Sequence, residues 1–515
     1  MLTHGRLIIV SNRLPVSVKK TAHGTRVERS SGGLATALQS AWEDQPGVWI
    51  GWTGATEGEP IEQLLERASR RRSHALTGVL LTAEEVDKFY NGFTNEIIWP
   101  LFHDMPTRCN FDPDYWEVYQ AVNRKFAAVT AETARPDDFI WVHDYHLMLV
   151  GQYLQQSKNQ SRTGFFLHIP FPSPDIFEQL PWRDSILSAL LAYDVVGFQT
   201  DRDRNNFLNC LGHLFADAEI QTADPHTIVR FRGHQSIIGT FPISIDFNEF
   251  AHRAARPEVA ARAAAVRQEF LENILVLGVD RLDYTKGIPE RLKAFRLLLQ
   301  RFPELRRQIT LAQIVVPSRE EIPKYKELRR DIELLVSKIN GQFTERGWVP
   351  VHYMHRNLGR DELLAHYRAA DMALITPLKD GMNLVAKEFC AAQVDERGVL
   401  VISEFAGASA ELRHGAILVN PNDIAGVAQA VHDTALMPQE EKSTRMRLLR
   451  NIVKEHDVHR WAQSFLQAAA LLRAEPTSAN GKGPRLVKPK RQEDVPGVAL
   501  IAAPPSRHRH TGTPG

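Results

Sequence analysis

The sequence predicts an α/β fold in two domains, each built on a parallel sheet with helices on its faces. Three observations lead there. The chain has 515 residues, and because single cores rarely grow past about 250 to 300 residues, two domains and a remainder fit that length. From Phe139 onward short apolar strands alternate with helical patterns, and after the Ala- and Arg-rich helical segment Pro257 to Leu271 the alternation restarts at Ile274. Polar and charged residues gather just after the apolar runs, where strands end.

Taken in order, Leu7 to Val10 reads as the opening strand, ended by Ser11-Asn12-Arg13-Leu14-Pro15, which places Arg13 at a strand's carboxyl end. After a hairpin-like excursion, Ser30-Ser31-Gly32-Gly33 leads into a serine-capped helix from Leu34 to Trp42. Gly32 and Gly33 can cradle a phosphate or make a tight turn. The aromatic stretch from Phe89 to Pro100 fits no simple pattern, and Tyr90 and Trp99 within it are either core rings or platforms for a sugar. Strands at Phe139 to Val142, Gly164 to Leu167 and Val195 to Phe198 end at His143-Asp144-Tyr145-His146, at His168-Ile169-Pro170 and at Gln199-Thr200-Asp201.

Phe241-Pro242 introduces a link, so the first domain is placed at residues 1–242 and the second at 243–474. In the second domain, Ile274 to Val279 gives way to Arg281 and Lys286, and Thr310 to Val316 gives way to Arg319. Met372 to Ile375 is an apolar run stopped by Pro377 and followed by the turn Asp380-Gly381-Met382-Asn383, where glycine is expected to supply unusual backbone angles. A helix follows from Leu384. Its free N–H groups and positive dipole end suit an anion or a sugar oxygen, Asp380 can accept sugar hydroxyls, and Glu388 one turn deeper can reach a second diol. Val399 to Ile402 ends at Ser403-Glu404, and a long helix including Trp461 to Leu472 closes the folded part. Residues 475–515 are rich in Pro, Gly, Lys and Arg without apolar periodicity, which predicts a disordered basic tail.

Composition excludes several classes. Apolar content of 43% and charged content of 24% are those of an ordinary globular protein. With 62 Lys and Arg against 61 Asp and Glu, no overall field favours nucleic acid or an anionic membrane, so an anion must be bound locally. Cys109, Cys210 and Cys390 lack metal-site spacing and read as buried thiols of a reducing compartment. No apolar run is long enough to span a membrane and no signal-peptide pattern opens the chain, so a cytoplasmic location is expected.

Arg13, Asp144, His168, Arg281, Lys286, Arg319 and Asp380 all fall at or just beyond strand ends. Ligands of open parallel sheets bind in the crevice outside those ends, so two such domains facing each other would aim both sets into one cleft. Arg281 and Lys286 suit a diphosphate, a planar fork beside a compact charge, while Arg13 and Arg319 suit a separate phosphate gripped from both sides. His143 and His146 raise the question of a metal, but alternation at a strand end splays the two rings, and no metal is expected.

SNRLP, SSGGL, WVHDYHL, FFLHIPFP, DRLDYTKG and LKDGMNLVAKEF, spread in this order over nearly all of residues 7–472, resemble the trehalose-6-phosphate synthase family. The resemblance implies the GT-B architecture: an acceptor-binding Rossmann-like domain, a nucleotide-sugar-binding one, and a terminal helix crossing back to the first. It implies a retaining glycosyltransferase of trehalose biosynthesis and stress protection, joining UDP-glucose and glucose 6-phosphate into α,α-trehalose 6-phosphate and UDP. By matching motif, Gly32, Gly33, Arg281, Lys286, Asp380, Gly381, Met382, Asn383, Leu384 and Glu388 would hold the donor. Arg13, Tyr90, Trp99, Asp144 and Arg319 would hold the acceptor, and His168 would touch the donor glucose near the reacting centre. Arg281, Lys286, His168 and Asp144 form the expected catalytic set.

No protein nucleophile stands out. The paired carboxylates of a retaining glycosidase lie about 5 to 5.5 Å apart, whereas a front-face reaction needs only position and charge from the protein, the leaving phosphate helping to deprotonate the incoming hydroxyl. The small molecules would be the partners, with no cofactor, nucleic acid or membrane. A homo-oligomer, dimer or tetramer, is compatible with the sequence. Rival readings are another phosphorylated acceptor such as glycerol 3-phosphate, as in glucosylglycerol-phosphate synthase, and a non-catalytic sugar-phosphate sensor. The retained Arg281, Lys286, Asp380 and Glu388 favour an enzyme, and the roughly 40 residues after the last helix are too few for a phosphatase domain.

Overall fold

In the computed structural model, residues 5–21, 24–29, 33–42, 46–55, 61–70, 73–270, 273–319 and 322–471 are described. The tail expected at 475–515 and the glycine at Gly32 lie outside them.

Two parallel sheets dominate. The first combines β1 (Leu7–Arg13), β4 (Gly47–Trp52), β5 (His74–Gly78), β6 (Phe139–His143), β7 (Arg162–Phe166) and β8 (Val195–Phe198), with β9 (Glu219–Ala223), β10 (His226–Phe231) and β11 (His234–Thr240) extending one edge. A separate hairpin joins β2 (Val16–Thr21) to β3 (Gly24–Arg29). The nine strands run in the order β5-β4-β1-β6-β7-β8-β11-β10-β9, parallel except where β10 pairs antiparallel with β11 and β9. The second sheet is wholly parallel: β12 (Ile274–Arg281), β13 (Ile309–Val316), β14 (Val351–His355), β15 (Met372–Ile375), β16 (Val399–Ser403) and β17 (Ile417–Val419), ordered β14-β13-β12-β15-β16-β17. Unbroken burial along β6, β15 and β16 explains why these strands read as continuous apolar runs, since helices cover both faces of such sheets.

Strand order fixes where ligands can enter. In the first sheet the order reverses between β1 and β6, and in the second between β12 and β15. A crevice opens at each reversal because the connections on either side leave in opposite directions. The residues just past these four strands are therefore the ones presented to a ligand.

The chain crosses between sheets twice. After β11 it passes through Ile243 to Asp246 into the helix Phe247–Ala254, and it returns through the helices Gln439–Glu455 and Val458–Leu471. The last helix lies against the first sheet, where Phe465 stacks on Trp141 with ring centroids 4.5 Å apart and Trp461 meets the edge of Phe166 at 5.3 Å. Gly164 and Gly197 make room for it: a methyl group on either would lie 2.8 Å from a Phe465 ring carbon. Residues through 472 make one compact unit. Cys210 and Cys390 are buried as expected, whereas Cys109 is only half-buried because it lies on the short segment after the helix Trp99–Phe102. No described helix is long and apolar enough to cross a membrane.

Candidate active site

Arg13 is the last residue of β1, which runs on past Val10 through an irregular register instead of stopping there. Its guanidinium lies over Trp52, 3.9 Å from the ring centroid, and 5.6 Å from that of Tyr90. The side chain is open to the cleft yet crowded by protein, and the crowding lowers its pKa despite the opposing pull of the Tyr90 hydroxyl.

Tyr90 and Trp99 reach this cleft through an unusual helix. Over Val86–Ile98 the turns are widened, with the Trp99 N–H bonding the Thr94 carbonyl five residues back. Nine positions separate the two rings, which at 3.6 residues per turn is two and a half turns and opposite faces. At roughly 4.4 residues per turn the same spacing is about two turns, so both rings share one face. Tyr90 then meets three cations: burial alone would raise its pKa, but the positive charges of Arg319, Arg13 and Arg281 outweigh burial and lower it.

On the opposite wall, β12 ends in the exposed Arg281. Asp283 follows and accepts the Thr285 N–H at 3.0 Å, setting the short turn that carries Lys286. Lys286 Nζ donates to Asp380 Oδ2 at 2.6 Å, and Asn383 Nδ2 donates to the same oxygen at 3.0 Å. Burial would raise the Asp380 pKa, but the Lys286 charge prevails and lowers it. The expectation for Gly381 needs correction. The left-handed residue of this turn is Asn383, at φ 82°, with its own side chain accepting the Ala386 N–H at 3.1 Å as helix cap. Gly381 is needed for close approach instead, because a methyl there would lie 2.4 Å from the His168 carbonyl oxygen across the cleft. Met382 is buried, Leu384 opens the helix Leu384–Ala392, and Glu388 on that helix accepts the Tyr367 hydroxyl at 2.9 Å, with burial raising its pKa.

Arg319 lies beyond β13 with φ 50°. Its Nη1 donates to the Tyr325 hydroxyl at 2.6 Å and lies 3.5 Å from Asp283, while Nη2 reaches the Tyr145 hydroxyl of the first domain at 3.4 Å. The guanidinium stands 4.5 Å from the Trp99 ring centroid. Burial opposes its charge, but the surrounding hydroxyl oxygens and Asp283 keep its pKa above the ordinary arginine value.

Asp144 follows β6 with φ 75°, and its Oδ1 accepts the His168 N–H at 3.2 Å. Burial raises its pKa to about 7 in spite of the Tyr145 and His168 N–H groups and the charges of Arg281 and Arg319. His168 Nε2 lies 3.2 Å from His143 Nδ1, and its Nδ1 lies 3.4 Å from Gln199 Nε2. Burial lowers the His168 pKa to about 3, so the ring is neutral. His146 does not join this pair but stacks on Tyr90, with centroids 6.0 Å apart. Among the described residues, no group of three or more His, Cys, Asp and Glu side chains is placed to hold a metal ion.

The segment from Trp99 to Arg108 docks directly on the second domain. Asp104 pairs with Lys379, the Arg108 guanidinium lies 4.7 Å from the Tyr284 ring centroid, and Lys324 donates to the Arg108 carbonyl at 2.8 Å. His103, whose Nδ1 lies 2.7 Å from the Trp99 carbonyl, is buried with its pKa lowered to about 4.

The strand-end residues named from the sequence, with the helical Tyr90 and Trp99, thus line one cleft: Arg13, Tyr90, Trp99, Asp144 and His168 on one wall, Arg281, Lys286, Arg319 and Asp380 on the other. Of the glycine pair, Gly33 is the first residue of the helix Gly33–Trp42. Tyr145, Asp283, Tyr325 and Gln199 were missed as supports of these side chains. Tyr145 and Asp283 lie inside motifs already singled out, but nothing in their spacing announces that both will face Arg319.

Comparisons with known proteins find relatives over the whole folded part of the chain. The profile of glycosyltransferase family 20 matches residues 5–470. The trehalose-6-phosphate synthase of Mycobacterium leprae is 43% identical over 469 residues, covering 90% of this chain and 94% of that protein. A UDP-forming α,α-trehalose-phosphate synthase from Burkholderia xenovorans, solved with glucose-6-phosphate, superposes with a TM-score of 0.82 at 34% identity over 90% of this chain and 100% of its own. A structure from E. coli bound with UDP-2-fluoro glucose gives a TM-score of 0.81 at 34% identity over 90% of this chain and 99% of its own. With two facing Rossmann-like domains, a terminal helix returning to the first, and a profile match from end to end of the folded part, the chain belongs to glycosyltransferase family 20.

Proposed function

We propose that this chain transfers glucose from UDP-glucose to glucose 6-phosphate with retention, giving α,α-trehalose 6-phosphate and UDP. The observation that carries this reading is the sorting of charge across the cleft. Arg319 and Arg13 act most strongly on Tyr90, with Arg281 third, while Arg281 and the Lys286–Asp380 pair stand at the second sheet's reversal. One dianionic phosphate fits the first group and a diphosphate fits the second.

In this reading Arg281 and Lys286 stabilise the departing diphosphate, which requires Lys286 to share or exchange its partner Asp380 with the ligand. Asp380 and the turn through Leu384 then take the donor glucose hydroxyls, Glu388 the ribose, and Trp99 and Tyr90 form the wall behind the acceptor. The bond from the glucose anomeric carbon to phosphate breaks, the bond to the acceptor oxygen forms on the same face, and the acceptor proton passes to the leaving phosphate. Asp144 orients the incoming hydroxyl. The two cations take the place a divalent metal would have at the diphosphate, and the reaction belongs in the cytoplasm.

Purified protein offered UDP-, ADP- and GDP-glucose with glucose 6-phosphate, glycerol 3-phosphate or glucose tests the reading, with products identified by mass. Trehalose 6-phosphate formed preferentially from UDP-glucose is the expected outcome. A preference for glycerol 3-phosphate, or no transfer at all, would overturn it.

A further inference from the structure

The peptide at Ile243, where the chain leaves the first sheet for the second, is held from both sides. Its N–H donates to Gln199 Oε1 at 2.9 Å, and its carbonyl accepts from Lys387 Nζ at 2.9 Å. Gln199 follows β8 in the first domain, and Lys387 precedes Glu388 on the helix Leu384–Ala392 of the second. Both are sealed from water, at 2% and 1% exposure. Lys387 is itself fixed by Glu411 at 2.6 Å, which lies 3.1 Å from His456, and the returning chain binds the same link through the Val458 N–H and the Ile245 carbonyl at 3.0 Å.

The polarity of this chain of bonds is determined by chemistry. The Ile243 N–H can only donate, so the amide oxygen of Gln199 must face it and the amide nitrogen must face His168 Nδ1, 3.4 Å away. An amide N–H also only donates, so Nδ1 carries the lone pair and the proton of neutral His168 is on Nε2, directed at His143 Nδ1, 3.2 Å away. A buried Gln whose two ends bridge an interdomain peptide and a cleft histidine does more than satisfy local polar groups.

We propose that Gln199 is a positioning residue which, by bonding the interdomain peptide at Ile243 and the ring of His168 together, sets the tautomer and orientation of that ring and ties both to the relative placement of the two domains. Lys387 anchors the carbonyl of the same residue, Ile243. A shift of the second domain pulls on Ile243, and Gln199 carries the displacement to the ring of His168, the residue whose backbone N–H holds Asp144. The proposal rests on the reading of His168 as a residue facing the donor glucose.

Nitrogen NMR of the ring-labelled full chain, assigned with His168→Asn, tests it without requiring turnover. His168 is expected to carry its proton on Nε2, and Gln199→Glu, measured at high pH where its carboxylate is ionised and so keeps an acceptor for Ile243 but demands a proton from the ring, is expected to move it to Nδ1. Gln199→Met and Gln199→Glu should lower kcat by about tenfold or more, with KM for both substrates changed less than about threefold, the pattern of lost orientation instead of lost binding. A wild-type proton on Nδ1, an unchanged tautomer in Gln199→Glu, or an unchanged kcat in folded variants would each overturn the proposal. If Gln199 variants fail to fold, the wild-type tautomer alone decides it. Failure of the glucosyltransfer reading would instead appear as an inactive wild type whose His168 tautomer is as expected.

Discussion

Arg319→Ala removes the cation of the second domain that faces the acceptor side of the cleft, and its consequences can be worked from the surroundings. The guanidinium is held by Tyr325 at 2.6 Å and by Asp283 at 3.5 Å, so it is oriented before any phosphate arrives. A charge-assisted hydrogen bond contributes roughly 1.5 to 3 kcal/mol, which corresponds to about a ten- to hundred-fold loss in kcat/KM for glucose 6-phosphate. The upper end is expected, because Asp283 keeps its charge and loses the strongest of the cations that offset it, leaving only Lys286 and Arg281. Arg319→Lys should recover only part, since a point charge lacks the fork. Tyr325→Phe keeps the charge but loosens its aim, and should cost about threefold to tenfold. The assay is the ratio of kcat/KM for glucose 6-phosphate to that for glucose, with the KM for UDP-glucose and the melting temperature as controls. If Arg319→Ala and Arg13→Ala both leave that ratio unchanged, the phosphate is bound elsewhere and the reasoning is refuted.

Other expectations follow from particular contacts. Gly381→Ala would drive a methyl group to 2.4 Å from the His168 carbonyl oxygen; overpacking of about 1 to 3 kcal/mol at this approach should lower kcat/KM for UDP-glucose by about five- to hundred-fold, and wild-type kinetics would show that the domains need not meet there. Burial lifts Asp144 from 3.8 to about 7, so the folded protein binds more protons than the unfolded chain between those values and loses stability as pH rises through that window. Asp144→Asn should therefore melt above wild type at pH 8 and lose its advantage below about pH 4, and a pH-independent difference would argue against a protonated Asp144. Phe465→Ala should cost about 3 to 5 kcal/mol in denaturant unfolding, because the ring stacks on Trp141 at 4.5 Å and fills the space above two glycines; a loss under about 1 kcal/mol would mean that the returning helix is not anchored there.

The strand ends were legible in the sequence because parallel strands buried on both faces appear as short apolar runs, so Arg281, Lys286 and Asp380 could be placed without coordinates. The strand order was not, and with it the reason these ends matter, since the reversals lie between β1 and β6 and between β12 and β15, far apart in sequence. The widened helix at Val86–Ile98 escaped because no local residue preference distinguishes its turns from ordinary ones, yet it alone brings Tyr90 and Trp99 onto one face. Gly381 was singled out for the wrong reason: its neighbour across the cleft, more than 200 positions away, could not be seen. The supports Tyr145, Asp283, Tyr325 and Gln199 are ordinary polar residues in isolation: long-range packing brings Tyr145 and Asp283 to Arg319 and Gln199 to His168, and although Tyr325 lies only six positions from Arg319, nothing in that spacing marks the contact.

Transfer of glucose between two phosphate-bearing substrates with retention, with cationic side chains at the diphosphate, can be observed in a single experiment. The most direct measurement follows anomerically labelled UDP-glucose by NMR in the presence of glucose 6-phosphate and a chelator. A single α,α-linked product formed at close to the rate without chelator, and near-complete loss of that product in Lys286→Met, are expected. An α,β-linked product, or turnover abolished by chelator and restored only by a divalent ion, would contradict that expectation.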